Sequence, residues 1–216
     1  MDAAGSADLQ EAIERAPYEG VFDPTGLHHE FSSGMHGQKL DLDKIPTDSP
    51  LYYNWISSIS NFLYSEYDEL PQAVVGVARG TNRVALSVAE RLQHQTEIIG
   101  VESTKAPDGR VYLSAYASKL LFEAEPQSLV VVEDVATSGY NAGLVASAAQ
   151  RLHIPRVSVL NTWQRRPQLE RLAEAGIPYK SMIHEYLPTY SAEDCARTGF
   201  CAQGWRLIPY PRAVSA

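Results

Sequence analysis

Apolar positions along the chain keep two different periods, and the switches between them divide it into elements. Over residues 50–67 they recur every three or four positions, with Leu51, Trp55, Ile59 and Phe62 in one row and Tyr52, Ile56 and Leu63 in the next. That spacing predicts an amphipathic helix with Asp48 or Ser49 as cap and Pro50 in its first turn. A short helix is expected over 8–15, and 19–47 reads as irregular. Farther on, compact apolar runs at 73–78, 97–102, 129–133, 156–162 and 180–186 predict strands. Helical patterns at 84–93, 141–152 and 167–175 lie between them, and 103–117 is a polar loop with room for a hairpin. The tail, 187–216, has three prolines and is expected to be extended and packed rather than helical. Strands alternating with helices predict an α/β fold, an open, mostly parallel, doubly wound sheet whose ligands bind beyond the strand C-termini. At 216 residues the chain is expected to be one domain, 1–216.

One strand breaks the pattern. The run Leu129–Val132 meets two adjacent acids, Glu133 and Asp134, before a short loop and an Ala-rich helical segment. Carboxylates at the end of a buried strand are costly unless something compensates them. The following loop, Thr137, Ser138, Gly139, Tyr140 and Asn141, closes on a helix N-terminus, where free amides and the helix dipole favour an anion. Hydroxyls of Thr137 and Ser138 add donors, and Gly139 permits the tight turn. The acids would repel the anion, so they suit another part of the same ligand. Vicinal sugar hydroxyls are fitting donors, and Mg²⁺ can share such a site. Phosphate at one end and a diol at the other describe a ribose 5-phosphate.

The charge changes the picture by exclusion. With 18 basic and 26 acidic residues the net charge is −8, which argues against nucleic acid and anionic membranes as partners. The first residues lack the basic and apolar regions of a signal peptide, and no apolar run approaches the ~20 residues of a membrane span, so a cytoplasmic location is expected. Cys195 and Cys201 are expected to be reduced thiols. No further ligands accompany them at zinc-site spacing, so no zinc site is expected. The motifs of P-loop, dinucleotide-binding, zincin and α/β-hydrolase proteins are all missing from the sequence.

LVVVEDVATSGYN (129–141) resembles the phosphoribosyl-pyrophosphate motif of the type I phosphoribosyltransferases, with Tyr140 where glycine is common and Asn141 where Thr or Ser is usual. The resemblance implies that family's fold, with Glu133 and Asp134 on the ribose hydroxyls, Thr137 to Asn141 on the 5-phosphate, and Mg²⁺ as cofactor with Asp134 as its ligand. HHEFSSGMHGQKLDLDKI (28–45) is similar to the lid segment of the orotate branch through Phe31, Ser33, Gly34 and Asp41. VVGVARGTN (74–82) resembles its pyrophosphate loop, which puts Arg79 and Gly80 beside the leaving group. Residues 194–209 resemble a cysteine-containing C-terminal turn of some orotate-like members. The implied lid comprises 18–47 and 187–216. Thr137 stands where 6-oxopurine members usually carry Asp, which favours the orotate branch. That branch has a basic pair and a His on its catalytic loop. Here Glu102 and Ser103 stand near the pair's position and no His follows, leaving Lys105, Asp108 and Arg110 as candidate catalytic residues. The implied activity is phosphoribosyl transfer from phosphoribosyl pyrophosphate to a nitrogen of a small heterocyclic base, orotate first, by a homodimer. The alternatives are a non-catalytic regulator binding the same sugar phosphate, and transfer to a purine or another heterocycle.

Overall fold

Residues 3–16, 21–22, 26–31, 34–94 and 96–209 are described by the structure, a computed structural model, with residues 3–5 and 79 described by backbone alone. The first part of the chain holds α1 (Ala3–Glu14), β1 (Leu27–Glu30), β2 (His36–Gly37), a 3-10 turn (Leu42–Lys44) and α2 (Pro50–Glu66). Next come β3 (Ala73–Gly76), α3 (Ala78–Leu92), β4 (Ile99–Lys105), β5 (Val111–Leu113), α4 (Ala115–Ala124) and β6 (Ser128–Ala136). The chain continues through α5 (Tyr140–Arg151), β7 (Arg156–Gln164), α6 (Glu170–Glu174) and β8 (Tyr179–His184). Last are β9 (Thr189–Tyr190), α7 (Ala192–Thr198) and β10 (Arg206–Ile208).

The main sheet has the order β5-β4-β3-β6-β7-β8 and is parallel except for the β4–β5 hairpin, which fills the expected loop. Its strands are apolar on both faces because helices cover both. Val74, Val130 and Val132 pack with Trp55, Ile59 and Leu63 of α2 and with Val84 and Val88 of α3. Ala73, Val75, Leu129 and Val131 point the other way, onto Leu121 of α4 and Val145 and Ala149 of α5. Ser49 caps α2 by accepting a bond from the Tyr52 amide, 3.2 Å.

Several elements depart from expectation. β6 continues past Glu133 to Ala136, because β7 pairs with it to the end, Glu133 with Asn161 and Ala136 with Gln164. α4, capped by Ser114, takes the last residues of the expected loop, 115–117, and runs on through 118–124, to which the sequence pattern assigned nothing. The tail is not wholly extended: Ser191 caps α7, and Glu193 and Asp194 in its first turn suit the helix dipole. The tail's prolines, at 188, 209 and 211, all lie outside that helix, so they do not oppose it. Strands from both ends of the chain form a second, four-stranded sheet of order β10-β1-β2-β9. Among the described residues no helix is long and apolar enough to cross a membrane.

β3 ends where α3 begins, and Gly76 makes this possible. A Cβ there would lie 2.3 Å from the Thr81 carbonyl oxygen and 2.4 Å from the Asn82 nitrogen, both backbone atoms. Gly76→Ala should therefore cost about 3 kcal/mol, the upper end of overpacking effects, because a backbone cannot yield as a side chain does. Gly109→Ala has a positive φ but open space and should cost about 1 kcal/mol. Chemical denaturation of the two variants checks the order; equal losses would contradict the packing argument.

Candidate active site

β3 stops opposite Val132, whereas β6 runs on, so Glu133 to Ala136 have β7 on one edge and no strand on the other. The resulting crevice lies between the β3–α3 turn and the β6–α5 loop, at the switch point of the sheet. Ser103 of β4 pins the first of these. Its hydroxyl donates to the Gly76 carbonyl, 2.6 Å, and accepts from the Ala78 amide, 2.8 Å, while the Asn82 side chain bonds both the Ser103 carbonyl and its amide. These bonds hold Ala78 at φ 65°, a region that costs an alanine energy and is commonest at functional sites. The position near the implied basic pair thus carries a loop-fixing serine.

The second loop leads straight into α5. Gly139 has φ 72° and ψ 17° and caps α5, leaving the first amides of the helix without intrahelical partners. Gly139 also touches α6: a Cβ would come within 2.6 Å of Leu172 Cγ, so substitution there would disturb the core as well as the loop. Tyr140 is exposed, while Thr137, Ser138 and Asn141 are half-buried.

Glu133 is buried, and among the described residues its Oε2 has no hydrogen-bond partner. Burial, and then the Asp134 charge, push its pKa up to about 8. Asp134 is pushed up to about 7 by burial and then by Asp43, with a smaller contribution from Asp41. Asp43, a residue the sequence reading passed over, lies in the 3-10 turn directly over Gly80, where a Cβ would overlap its carboxylate. Burial and Asp41 raise the Asp43 pKa, and Arg83, Lys105 and Lys44 oppose the rise. Positive charge thus reaches Asp43 and Asp41, while among the described residues none is set against Glu133 or Asp134, a donor pair that suits sugar hydroxyls and a hard divalent cation.

Beside this cluster a cavity of about 220 Å³ is lined by Phe31, Met35, Thr137, Arg165, Arg166 and Thr189. The Arg165 guanidinium lies 5.2 Å from the centre of the Phe31 ring and donates to the Gln38 carbonyl, 2.7 Å. It is buried, its Nε has no partner among the described residues, and burial followed by Arg166 lowers its pKa to about 10. Neither arginine was singled out from the sequence. The signal was there in Gln164-Arg165-Arg166-Pro167, a polar run that ends a buried strand much as the acidic pair does.

The other candidates divide. Lys105 acts on Asp43 electrostatically and so belongs to the crevice. Asp108 and Arg110 instead pair with each other at the exposed hairpin tip, 2.7 Å from Arg110 Nε to Asp108 Oδ2. Gly80 is buried under Asp43, and Asp41 is held by Lys39 at 2.9 Å. The Arg79 side chain and Ser33 lie outside what is described; Gly34 has φ 77°.

By sequence the chain matches no family profile and no curated protein. Solved structures do match. Orotate phosphoribosyltransferase from Aeropyrum pernix has 21% identity and a TM-score of 0.56, covering 91% of this chain and 99% of its own. The fold is that of the type I phosphoribosyltransferases. The Mycobacterium tuberculosis orotate phosphoribosyltransferase in complex with phosphoribosyl pyrophosphate has 20% identity and a TM-score of 0.54, covering 83% of this chain and 96% of its own. Adenine phosphoribosyltransferase from Saccharomyces cerevisiae, complexed with adenine and an imino-altritol bisphosphate, has 14% identity and a TM-score of 0.55, covering 84% and 99%.

The raised carboxyl pKa values set a pH dependence. Above pH ~4 the unfolded chain has released the protons that folded, unliganded protein still holds on Glu133 and Asp134. The folded state therefore binds more protons, and this stability, complete below that pH, is lost as pH rises toward about 8. In metal-free buffer Glu133→Gln should flatten the decline between about pH 5 and 8 by up to ~1.4 kcal/mol per pH unit, each kcal/mol being worth about 2–4 °C in melting temperature. Parallel melting curves for the two proteins would show that Glu133 holds no proton there.

Proposed function

We propose that this protein transfers a 5-phosphoribosyl group from phosphoribosyl pyrophosphate to a ring nitrogen of a planar, oxygen-rich heterocycle, orotate first. The reading rests on the order of groups at the end of β6: an acid pair whose Glu133 Oε2 has no hydrogen-bond partner among the described residues, then a glycine-led loop into a helix N-terminus, with the Phe31–Arg165 cavity against Thr137. Its donor fits the M. tuberculosis neighbour, a complex with phosphoribosyl pyrophosphate. In this proposal Glu133 and Asp134 accept bonds from the ribose hydroxyls, and Thr137, Ser138, Gly139, Tyr140 and Asn141 hold the 5-phosphate. Arg79 and Gly80 meet the pyrophosphate, and Lys105 supplies positive charge as it departs. Positive charge then growing on the ribose ring lies near the acid pair. Phe31 offers its ring face to the base, and Arg165 and Arg166 meet its oxygens, where an amine-bearing base such as adenine would leave them unsatisfied.

Asp134, in the field of Asp43 and Asp41, presents carboxylate oxygens suited to Mg²⁺. Mg²⁺ there would supply neutralising charge for the pyrophosphate. The proposal keeps the chain as one domain whose terminal segments, 18–47 and 187–216, cover the base site. It keeps the homodimer too: Tyr112, Tyr116 and Phe122, exposed on the hairpin and α4, give a second copy an apolar surface to cover. One observation favours a binding protein without catalysis, the Asp108–Arg110 pair that engages itself rather than the crevice.

The decisive assay is pyrophosphate release with Mg²⁺, the sugar donor and a panel of bases. Release with orotate well above that with adenine is expected. Preference for adenine would overturn the acceptor assignment, and binding of donor without release on any base would favour the regulator. Asp134→Asn should weaken donor binding roughly 10–100-fold, the loss of one charged hydrogen bond of about 1.5–3 kcal/mol, without lowering the melting temperature. Unchanged affinity would remove the acid pair from the sugar site.

A further inference from the structure

The small sheet holds a second cluster that has no part in the crevice. His28 on β1 and His36 on β2 lie on the same face of that sheet, diagonal to one another across the antiparallel pair, with ring centres 5.5 Å apart. α7 and the turn after it bring Cys195 and Cys201 onto this face. His28 Nε2 is 3.1 Å and His36 Nδ1 3.5 Å from Cys201 Sγ, and Cys195 Sγ accepts a bond from the Cys201 amide at 3.3 Å. One ligating atom from each residue lies within 4.8 Å of all the others. His28, His36 and Cys195 are buried, and Cys201 is half-buried.

We infer that His28, His36, Cys195 and Cys201 form a structural zinc site that ties the two ends of the chain together. The donor set decides the metal: two thiolates and two imidazoles in a closed tetrahedral arrangement favour Zn²⁺ over the oxygen-seeking Mg²⁺ and Ca²⁺. With Zn–S of about 2.3 Å and Zn–N of about 2.0–2.1 Å, tetrahedral edges are about 3.3–3.8 Å. The contacts of 3.1 and 3.5 Å already approach those edges. All four positions are protein ligands, so the site is closed and its role is structural. The amide bond onto Cys195 Sγ is the kind of outer contact that orients a thiolate ligand. Binding converts both cysteines to thiolates, and their protons pass to solvent.

The reason for a metal is the poverty of this subdomain's core. Around the cluster the apolar packing is mainly Phe200, stacked 4.6 Å from Trp205 and set edge-on to Tyr190 at 5.5 Å. Small units with cores of this size commonly need a metal or disulfides. His28 and Cys201 are 173 residues apart, so one ion closes a long loop, where a clip is most effective. The spacing rule did not find this cluster because it looks for neighbours in sequence, whereas the two histidines and the two cysteines come from opposite ends of the chain. This inference does not depend on the phosphoribosyl reading.

The test is elemental analysis of the full-length protein, expressed with zinc and dialysed, together with Co²⁺ reconstitution of the stripped protein. About one zinc per chain is expected, with a tetrahedral, thiolate-bound cobalt spectrum. Cys201→Ser and His36→Ala should each weaken zinc binding by more than the ~10–100-fold lost with an outer-shell contact. Should a variant fail to fold, the wild-type cobalt spectrum decides alone. No retained zinc and no such spectrum would overturn the site. So would a Cys195–Cys201 disulfide found by mass spectrometry, or zinc retained unchanged in both variants, which would be adventitious metal.

Discussion

Burying a carboxylate without a partner costs several kcal/mol, and β6 carries two acids in succession in the middle of an otherwise apolar sheet. The surroundings of Glu133 and Asp134 follow from that constraint. β3 stops at Gly76 and leaves their edge of β6 open. The β3–α3 turn is drawn close by Ser103 and Asn82 and held in a strained conformation. Asp43 and Asp41 add like charge rather than relieving it. A fold selected for stability alone would have neutralised this cluster; one that must hold a hydroxylated, charged ligand leaves the cluster to be completed by the ligand.

The main architecture was legible because its physics is local. The period of α2, the Ser49 cap and the apolar strands each announce themselves within a few residues. The acid pair and the glycine loop stand out for the same reason, since strand, loop and helix follow one another without interruption. Boundaries were less legible. β6 extends past Glu133 only because β7 accompanies it, and α7 forms in a proline-bearing tail because its prolines stand outside the helix.

What sequence could not supply was partnership across distance. Asp43 matters because it rests on Gly80, and Arg165 because it lies against Phe31; neither contact has a sequence signature. The same holds for the histidine–cysteine cluster. Its members look unremarkable singly and acquire chemistry only when β1, β2 and α7 meet. The two centres divide the work of the molecule. On the two proposals, one would leave charge to be compensated by a ligand, and the other would secure the small sheet carrying the segment that ends at Phe31.

The central claim is that the acid pair reads the sugar's hydroxyl groups. Calorimetric titration of the metal-loaded protein with ribose 5-phosphate and with 2-deoxyribose 5-phosphate tests it most directly, because the two ligands share the phosphate and differ at one hydroxyl. The account predicts that the deoxy sugar binds roughly 10–100-fold more weakly, the value of one hydrogen bond to a charged acceptor. Equal affinity for the two would contradict it.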